Sequence, residues 1–404
     1  PQGTGTGSLG AVSASTPAGG STPVVAVIGG GQLARMMQEE ASALGVHLRA
    51  LVESPRGSAA QVTVDAPVGG ADDEAAVRAL VAGRAATGPD APSLQAAGAA
   101  DVLTFEHEHQ DQELLLALQG EGVPVRPDPR ALLLARDKLA MRRAMDEAGL
   151  PQPAWAEVAG DAGAMAEQIG AFADRHGWPV VLKTPRGGYD GKGVLVLESA
   201  GDARERAASW FDQLESRTDF SSLLAEEKVP FTRELSALVA RRESGQVIPW
   251  PVAETIQVHS VCDEVISPAP NLEAQVAAAA SEAAVHIATE LGVTGVMAVE
   301  LFEVPGSASG FYINELAMRP HNTGHWTQDG AVTSQFEQHL RAVLDLPLGD
   351  ASALAEVSVM KNYLGGEHDD IFGVYPLAFS AEPRAKIHFY GKEPRSRKRY
   401  RQCA

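Results

Sequence analysis

The chain has 404 residues, 52 of them acidic and 33 basic, for a formal charge of -19. That length predicts about two to four domains. The acidic balance argues against a broad nucleic-acid or anionic-membrane surface, while a local basic pocket for a small phosphorylated ligand stays open. Hydrophobic residues make up 45% and charged residues 21%, which excludes global disorder. No apolar stretch approaches the roughly eighteen residues that a membrane span needs. The two cysteines, Cys262 and Cys403, cannot build a disulfide framework, so a reducing cytoplasm is the expected compartment.

Residues 1–22 carry no charge and are mostly Gly, Ser, Thr, Ala and Pro, which reads as a flexible tail rather than a signal or anchor. Val24 to Ile28 reads as a buried strand, Gln32 to Leu44 as a helix and Leu48 to Glu53 as a second strand. Val62 and Val64 suggest a third strand, Asp72 to Val81 a helix, and Asp101 to Phe105 another strand. Strands alternating with helices imply a parallel, doubly wound sheet. One helix with Lys138 near its middle is expected between the Pro127–Pro129 linker and Gly149. Pro179 to Lys183 and Gly193 to Leu197 then read as a hairpin around a glycine-rich loop. Further strands are expected at Ser222–Glu227, Arg233–Ala240, Val247–Pro251, Val296–Phe302 and Gly310–Leu316. Helices are expected at Asn271–Leu291 and Ser334–Leu344, and short strands and turns from Ser358 to about Tyr390.

Four features carry chemistry. Gly29-x-Gly31-x-x-Ala34 opens a helix after a strand, and Glu53 ends the next strand. This is the pattern of a dinucleotide fingerprint, of a plain anion site at a helix N-terminus, or of close packing. Gly187, Gly188, Gly191 and Gly193 in a run with Lys183 and Lys192 suit a loop folding over a polyphosphate, and equally an ordinary hairpin turn. Glu300 and Glu315 sit in two otherwise apolar strands, with Asn314 beside the second. Buried acids there need a partner, either a hard cation such as magnesium or a basic side chain. Arg319-Pro-His321-Asn-Thr-Gly-His325-Trp326 packs a guanidinium, two imidazoles and an amide into one loop, and Pro320 and Gly324 disfavour a zinc-binding helix. His107 and His109 make only a two-ligand set, better read as solvated or hydrogen-bonded.

Taken in order, these segments resemble one family, the 5-(carboxyamino)imidazole ribonucleotide synthetases of the ATP-grasp superfamily. The resemblance rests on Gly30-Gly31-Gln32-Leu33, Thr104-Phe105-Glu106, Gly187 to Gly191, Gly295 to Glu300, Asn314 to Ala317, the run Arg319–Gln328, and Ser334-Gln335-Phe336-Glu337. It implies an α/β and α+β architecture in three parts. A Rossmann-like parallel pre-grasp domain spans 23–126. An ATP-grasp fold of two lobes spans 127–347, with its glycine-loop lobe at about 151–225. A small C-terminal β-rich domain spans 348–404. It also implies a cytoplasmic homodimer that binds ATP, magnesium (or manganese), bicarbonate and 5-aminoimidazole ribonucleotide (AIR), with no nucleic-acid or membrane partner.

Residue by residue, the resemblance places Lys138 and Lys183 on the ATP phosphates, under a covering loop of Gly188, Tyr189, Asp190, Gly191, Lys192, Gly193 and Val194. It sets Glu226, Glu227, Lys228 and Val229 at the adenine, Glu234 at the ribose, and Gln257 and Asn314 on the nucleotide side. Glu300 and Glu315 match magnesium ligands. Gln32, Glu106, Tyr189, Asp190, Lys192, Arg319, His321, Asn322, Thr323 and Lys392 match the AIR side, with Asp190, Arg319 and Lys392 catalytic and Asp190 taking the amine proton. Met318 replaces an expected proline, and Gln257 an expected histidine. The end, Tyr390 to Ala404, departs from the family's Arg-Pro-Gly-Arg-Lys run, so the C-terminal domain is expected to end atypically and the family's phosphate-binding role does not carry over securely to Lys392 and Arg395. The alternatives are a formate-dependent transformylase of the same superfamily and, from Gly29–Ala34 and Glu53 alone, a nicotinamide-dependent oxidoreductase.

Overall fold

The computed structural model describes residues 22–83, 98–187, 193–215, 220–363 and 372–392. Val24–Ile28 (β1) is a run of five buried apolar residues. It pairs in parallel with His47–Leu51 (β2) on one side and Val102–Phe105 (β3) on the other. Helices Gln32–Leu44 (α1), Glu74–Ala82 (α2) and Gln112–Gly120 (α3) complete the pre-grasp unit. Asp73 and Asp111 cap the last two by accepting backbone N–H groups of the first turn. The strand expected at Val62–Val64 does not form. A 3-10 turn at Ala59–Gln61 precedes it, Val64 is 71% exposed, and only single bridges form, from Arg49 of β2 to Asp65 and from Val52 just beyond it to Val68.

The helix expected around Lys138 is two helices, Pro129–Arg136 (α4) and Lys138–Glu147 (α5). Asp137 ends the first and caps the second, its Oδ1 accepting from the Leu139 and Ala140 amides at 3.0 Å each. Lys138 therefore stands first in its helix instead of in the middle.

The glycine-loop lobe comprises Trp155–Ala159 (β4), Ala162–His176 (α6), Val180–Lys183 (β5), Val194–Leu197 (β6), Ala200–Glu215 (α7) and Ser222–Glu227 (β7). Its antiparallel sheet runs β4-β7-β5-β6. Met165, Ile169, Phe172, Leu182 and Leu223 give it a core of its own.

The larger sheet contains Arg233–Arg241 (β8), Val247–Pro249 (β9), Ala253–Val258 (β10) and Val261–Ser267 (β11), then Gly295–Glu303 (β12), Phe311–Ala317 (β13) and Ser358–Lys361 (β14). It runs β13-β12-β8-β10-β11-β14, with β9 paired to β8. On one face, Ala274–Glu290 (α8) presents Ala280, Ala284 and Ile287 to Leu235, Val239 and Met297, in a core continuous with Phe105 and Leu115 of the pre-grasp unit. Thr327–Gly330 (α9) and Gln335–Val343 (α10) follow β13. Phe336, Leu340 and Val343 of α10 pack onto Val25, Val27 and Met37. The two units thus share packed interior, and the loops between β13 and α10 lie at the joint. Beyond residue 348 the described residues hold one strand, β14, a 3-10 turn at Phe372–Val374 and one short α-helix, Tyr375–Ala381 (α11), where strands and turns were expected. β14 joins the larger sheet through β11 rather than a sheet of its own. No helix of the described residues is long and apolar enough to cross a membrane.

Candidate active site

The turn Gly29–Gly31 has no room for a dinucleotide phosphate. The Glu106 carboxylate accepts from the Gly31 amide through Oε1 and from the Ala34 amide at 3.0 Å through Oε2. It fills the helix N-terminus with the anion that such amides favour. A Cβ on Gly31 would lie 2.6 Å from Glu106 Oε1, so the glycines serve the approach of this carboxylate. Burial raises the Glu106 pKa against the lowering effect of its two amide bonds. The nicotinamide alternative falls on this geometry. Glu106, expected on the AIR side, spends both oxygens inside the fold.

At the other end of the site, three charged side chains lock into a buried triad. Arg142 Nε donates to Glu226 Oε1 at 2.6 Å, and Lys183 Nζ sits 2.6 Å from Glu226 Oε2. Arg142 also donates to the Ile313 and Asn314 carbonyls at 2.9 and 3.0 Å, which ties β13 to α5 and β7. Burial alone would raise the Glu226 pKa, but the Lys183 and Arg142 charges outweigh it and hold the carboxyl at about 2. Glu227 accepts from the Ala154 amide at 2.9 Å and Val229 is buried, so the stretch from Glu226 to Val229 offers a ligand chiefly its backbone. Arg142 was not singled out in the sequence, because an arginine on an amphipathic helix reads as solvated.

The two acids of the apolar strands face each other. Glu300 pairs directly with Glu315 across β12 and β13, while Leu301 pairs with Ile313, so Asn314 is the extra residue of a β-bulge. A bulge breaks the strict alternation of faces and re-aims a side chain. Asn314 Oδ1 is buried without a hydrogen-bond partner. Lys138 Nζ lies 3.2 Å from Glu315 Oε1. Glu234, on the neighbouring β8, is hydrogen-bonded by Gln257, and burial followed by the Glu315 charge raises its pKa. Glu300 is pushed up to about 8 by burial and by the Glu315 and Glu234 charges. Opposed carboxylates and an orphaned amide oxygen form a hard-oxygen donor set that fits magnesium.

The loop after β13 closes the other side. Arg319 Nε sits 2.8 Å from Glu108 Oε1, and His321 Nε2 3.3 Å from Glu300 Oε1. His321 Nδ1 and Ser236 Oγ both lie within hydrogen-bond reach of Thr323 Oγ1, at 2.9 and 2.7 Å. Burial, then the Arg319 charge, holds His321 neutral with a pKa of about 3. Asn322 Oδ1 accepts from Asn362 Nδ2 at 3.0 Å. A C-terminal strap crosses this loop. His388 lies 2.6 Å from Asp329 Oδ2, and Tyr390 OH donates to Asn362 Oδ1 at 3.2 Å. Ser58 Oγ donates to the Tyr390 carbonyl, and Gln61 Nε2 to the Gly391 carbonyl at 2.6 Å. The strap brings Lys392 close enough for its charge to act on His325. Glu108, Ser236, Asn362 and Tyr390 had no sequence signal, since each is defined by a partner far along the chain. Gly188, Tyr189, Asp190, Gly191, Lys192 and Arg395 lie outside the described residues, while Gly193 directly precedes β6 and Val194 opens it. Among the described residues no group of three or more His, Cys, Asp or Glu side chains could hold a metal, His107 and His109 included.

Residues 23–136 match the ribonucleotide synthetase preATP-grasp domain, and residues 143–336 the ATP-grasp domain. The chain is 47% identical over 376 residues to the N5-carboxyaminoimidazole ribonucleotide synthase of Mycobacterium tuberculosis, covering 92% of this chain and 81% of that one. The chain belongs to the N5-carboxyaminoimidazole ribonucleotide synthase family. A solved N5-carboxyaminoimidazole ribonucleotide synthetase of this family, an ADP complex, superposes with a TM-score of 0.77 at 34% identity, covering 93% of this chain and 90% of that one. An Aspergillus clavatus N5-carboxyaminoimidazole synthase, solved with ADP and 5-aminoimidazole ribonucleotide, gives 0.76 at 27% identity over 93% and 91%. Family membership accounts for the order of these segments along the chain, with the pre-grasp turn first, Lys138 and Lys183 next and the acid pair before the imidazole loop.

Proposed function

We propose that the protein uses ATP to carboxylate 5-aminoimidazole ribonucleotide with bicarbonate, giving N5-carboxyaminoimidazole ribonucleotide, ADP and phosphate in purine biosynthesis. The observation that carries this reading is the opposed Glu300–Glu315 pair, with Lys138 at 3.2 Å, set against the Arg319–Gln328 loop. A polyphosphate-and-cation end meets a neutral hydrogen-bonding end in one site. Phosphoryl transfer needs positioning and charge neutralisation more than covalent help. Lys138 and Lys183 supply positive charge to the phosphates, the group that the family resemblance also assigns to residues 188–194. The backbone of Glu226–Val229 receives the adenine, and Glu234 with Gln257 the ribose.

Glu300 and Glu315, with Asn314, would hold magnesium or manganese, which when bound neutralises charge on the transferring phosphoryl group. Bicarbonate oxygen attacks the γ-phosphorus and ADP leaves, forming carboxyphosphate. The exocyclic amine of AIR takes the carboxyl group, phosphate leaves, and Asp190 accepts the amine proton. Tyr189, Lys192, Arg319, His321, Asn322, Thr323, Gln32 and Lys392 bind AIR or its carboxylating partner, and Glu106 serves them by holding the Gly29–Gly31 turn. The same reading makes the enzyme a cytoplasmic homodimer. Tyr363, Phe372 and Leu377, which are exposed, offer apolar surface for the second copy.

ADP release from purified protein tests the reading. Release should require ATP, magnesium, bicarbonate and AIR together. Release driven instead by formate and a different ribonucleotide amine would move the chain to the transformylase alternative.

A further inference from the structure

A chain of hydrogen bonds behind the imidazole loop is left unused by the phosphate and cation chemistry. Gln335, first residue of α10, is fully buried. Its Oε1 accepts from the His321 amide at 2.8 Å, and since a backbone N–H can only donate, this end of the carboxamide is the oxygen. The nitrogen at the other end donates to the His321 carbonyl at 2.8 Å and lies 2.9 Å from His325 Nδ1. His325 is 4% exposed. Burial, then the His388, Arg319 and Lys392 charges, lowers its pKa to about 3 and leaves one ring proton at neutral pH. Because Nδ1 accepts, that proton is on Nε2.

Nε2 in turn lies 3.2 Å from the side-chain nitrogen of Gln32, first residue of α1. Two donors cannot bond. A half-turn of the Gln32 carboxamide exchanges its nitrogen and oxygen without moving the side chain, and it puts the oxygen on Nε2. The NH2 group then points away from His325, at a position that has no hydrogen bond among the described residues.

We propose that Gln335 and His325 are positioning residues that hold the Gln32 carboxamide with its NH2 group presented as a donor to the phosphorylated amine substrate. The proposal rests on the function given above. Gly324 belongs to the same device, because a Cβ there would come within 2.3 Å of Gln335 Oε1. The ring of Tyr390, 5.8 Å away edge-on, closes the remaining side of His325.

Nitrogen NMR of ligand-free protein labelled with 15N-histidine reads the relay directly, with the His325 signals assigned by their loss in His325→Gln. The expected state is a neutral ring protonated at Nε2; a ring protonated at Nδ1, or an imidazolium at neutral pH, overturns the proposal. Kinetics read its consequence. Gln32→Glu can still accept from His325 but offers no N–H, so the KM for AIR should rise by about tenfold, the worth of one such hydrogen bond, with the KM for ATP unchanged. An unchanged KM for AIR overturns the proposal. Gln335→Glu cannot donate to Nδ1, so the ring should switch to the Nδ1–H form and the KM for AIR should rise together. A raised KM with Nε2–H retained counts against the relay. If that variant does not fold, the tautomer and Gln32→Glu still decide. Parent protein that shows no AIR-dependent ADP release would sink the function, and the tautomer of ligand-free protein would still judge the relay.

Discussion

Replacing Glu226 by Gln removes the one negative charge between Arg142 and Lys183, whose side chains are 1% and 12% exposed. The neutral amide fits the same space, so the perturbation is electrostatic. A carboxyl held at about 2 against an ordinary 4.5 corresponds to about 3 kcal/mol of folded-state stabilisation. That agrees with the roughly 3–5 kcal/mol lost when one partner of a buried ion pair is removed. A loss of about 3 kcal/mol should lower the melting temperature by roughly 6–12 °C for a unit of this size. Because the folded pKa lies below 4.5, the contribution is complete above pH 4.5 and disappears as pH falls toward 2. The parent should therefore lose stability across that window, and Glu226→Gln should lack this part of the acid response. Lys183 also loses its anchor, so the KM for ATP should rise. Differential scanning fluorimetry from pH 7 down to 3, with ATP kinetics, measures both effects. Coincident melting of the two proteins at neutral pH would refute the reasoning, and the triad would then contribute nothing net.

Gly31→Ala should cost about 1–3 kcal/mol, because its Cβ would meet Glu106 at 2.6 Å and expel the carboxylate from two buried amides; thermal melting checks this. Glu315→Gln should abolish ADP release while the melting temperature holds, and full activity would make the acid pair structural. Gly391→Ala forces a side chain onto a residue with φ of 62° and sets its Cβ 2.5 Å from Gln61 Oε1. It should free the strap and raise the KM for AIR at least severalfold with little change for ATP.

Much of this protein follows from short-range pattern. Five apolar residues at Val24–Ile28, preceded by Pro23 and followed by Gly29–Gly31, form a buried strand, and Asp73, Asp111 and Asp161 cap the helices that follow them. Acids at 300 and 315 in apolar strands demand a partner wherever the strands lie. These signals are local, because a strand's length and a cap's geometry are set within a few residues. The Gly29–Ala34 fingerprint shows where locality ends. Its spacing fits a dinucleotide, but the anion that occupies it is Glu106, 75 residues on from Gly31. Asp137 splits one expected helix into two because its carboxylate competes for the first-turn amides, and the Arg186 guanidinium 2.8 Å away holds it there. Arg142 becomes a buried ion-pair centre only when Glu226, 84 residues away, is brought beside it. The bulge that frees Asn314 depends on the pairing of β12 with β13, and the proton on His325 is placed by Gln335 from another element. Residue types and their order determined the chemistry available; which acid meets which base, and which atom keeps its proton, was decided by contacts between distant segments that no local pattern encodes.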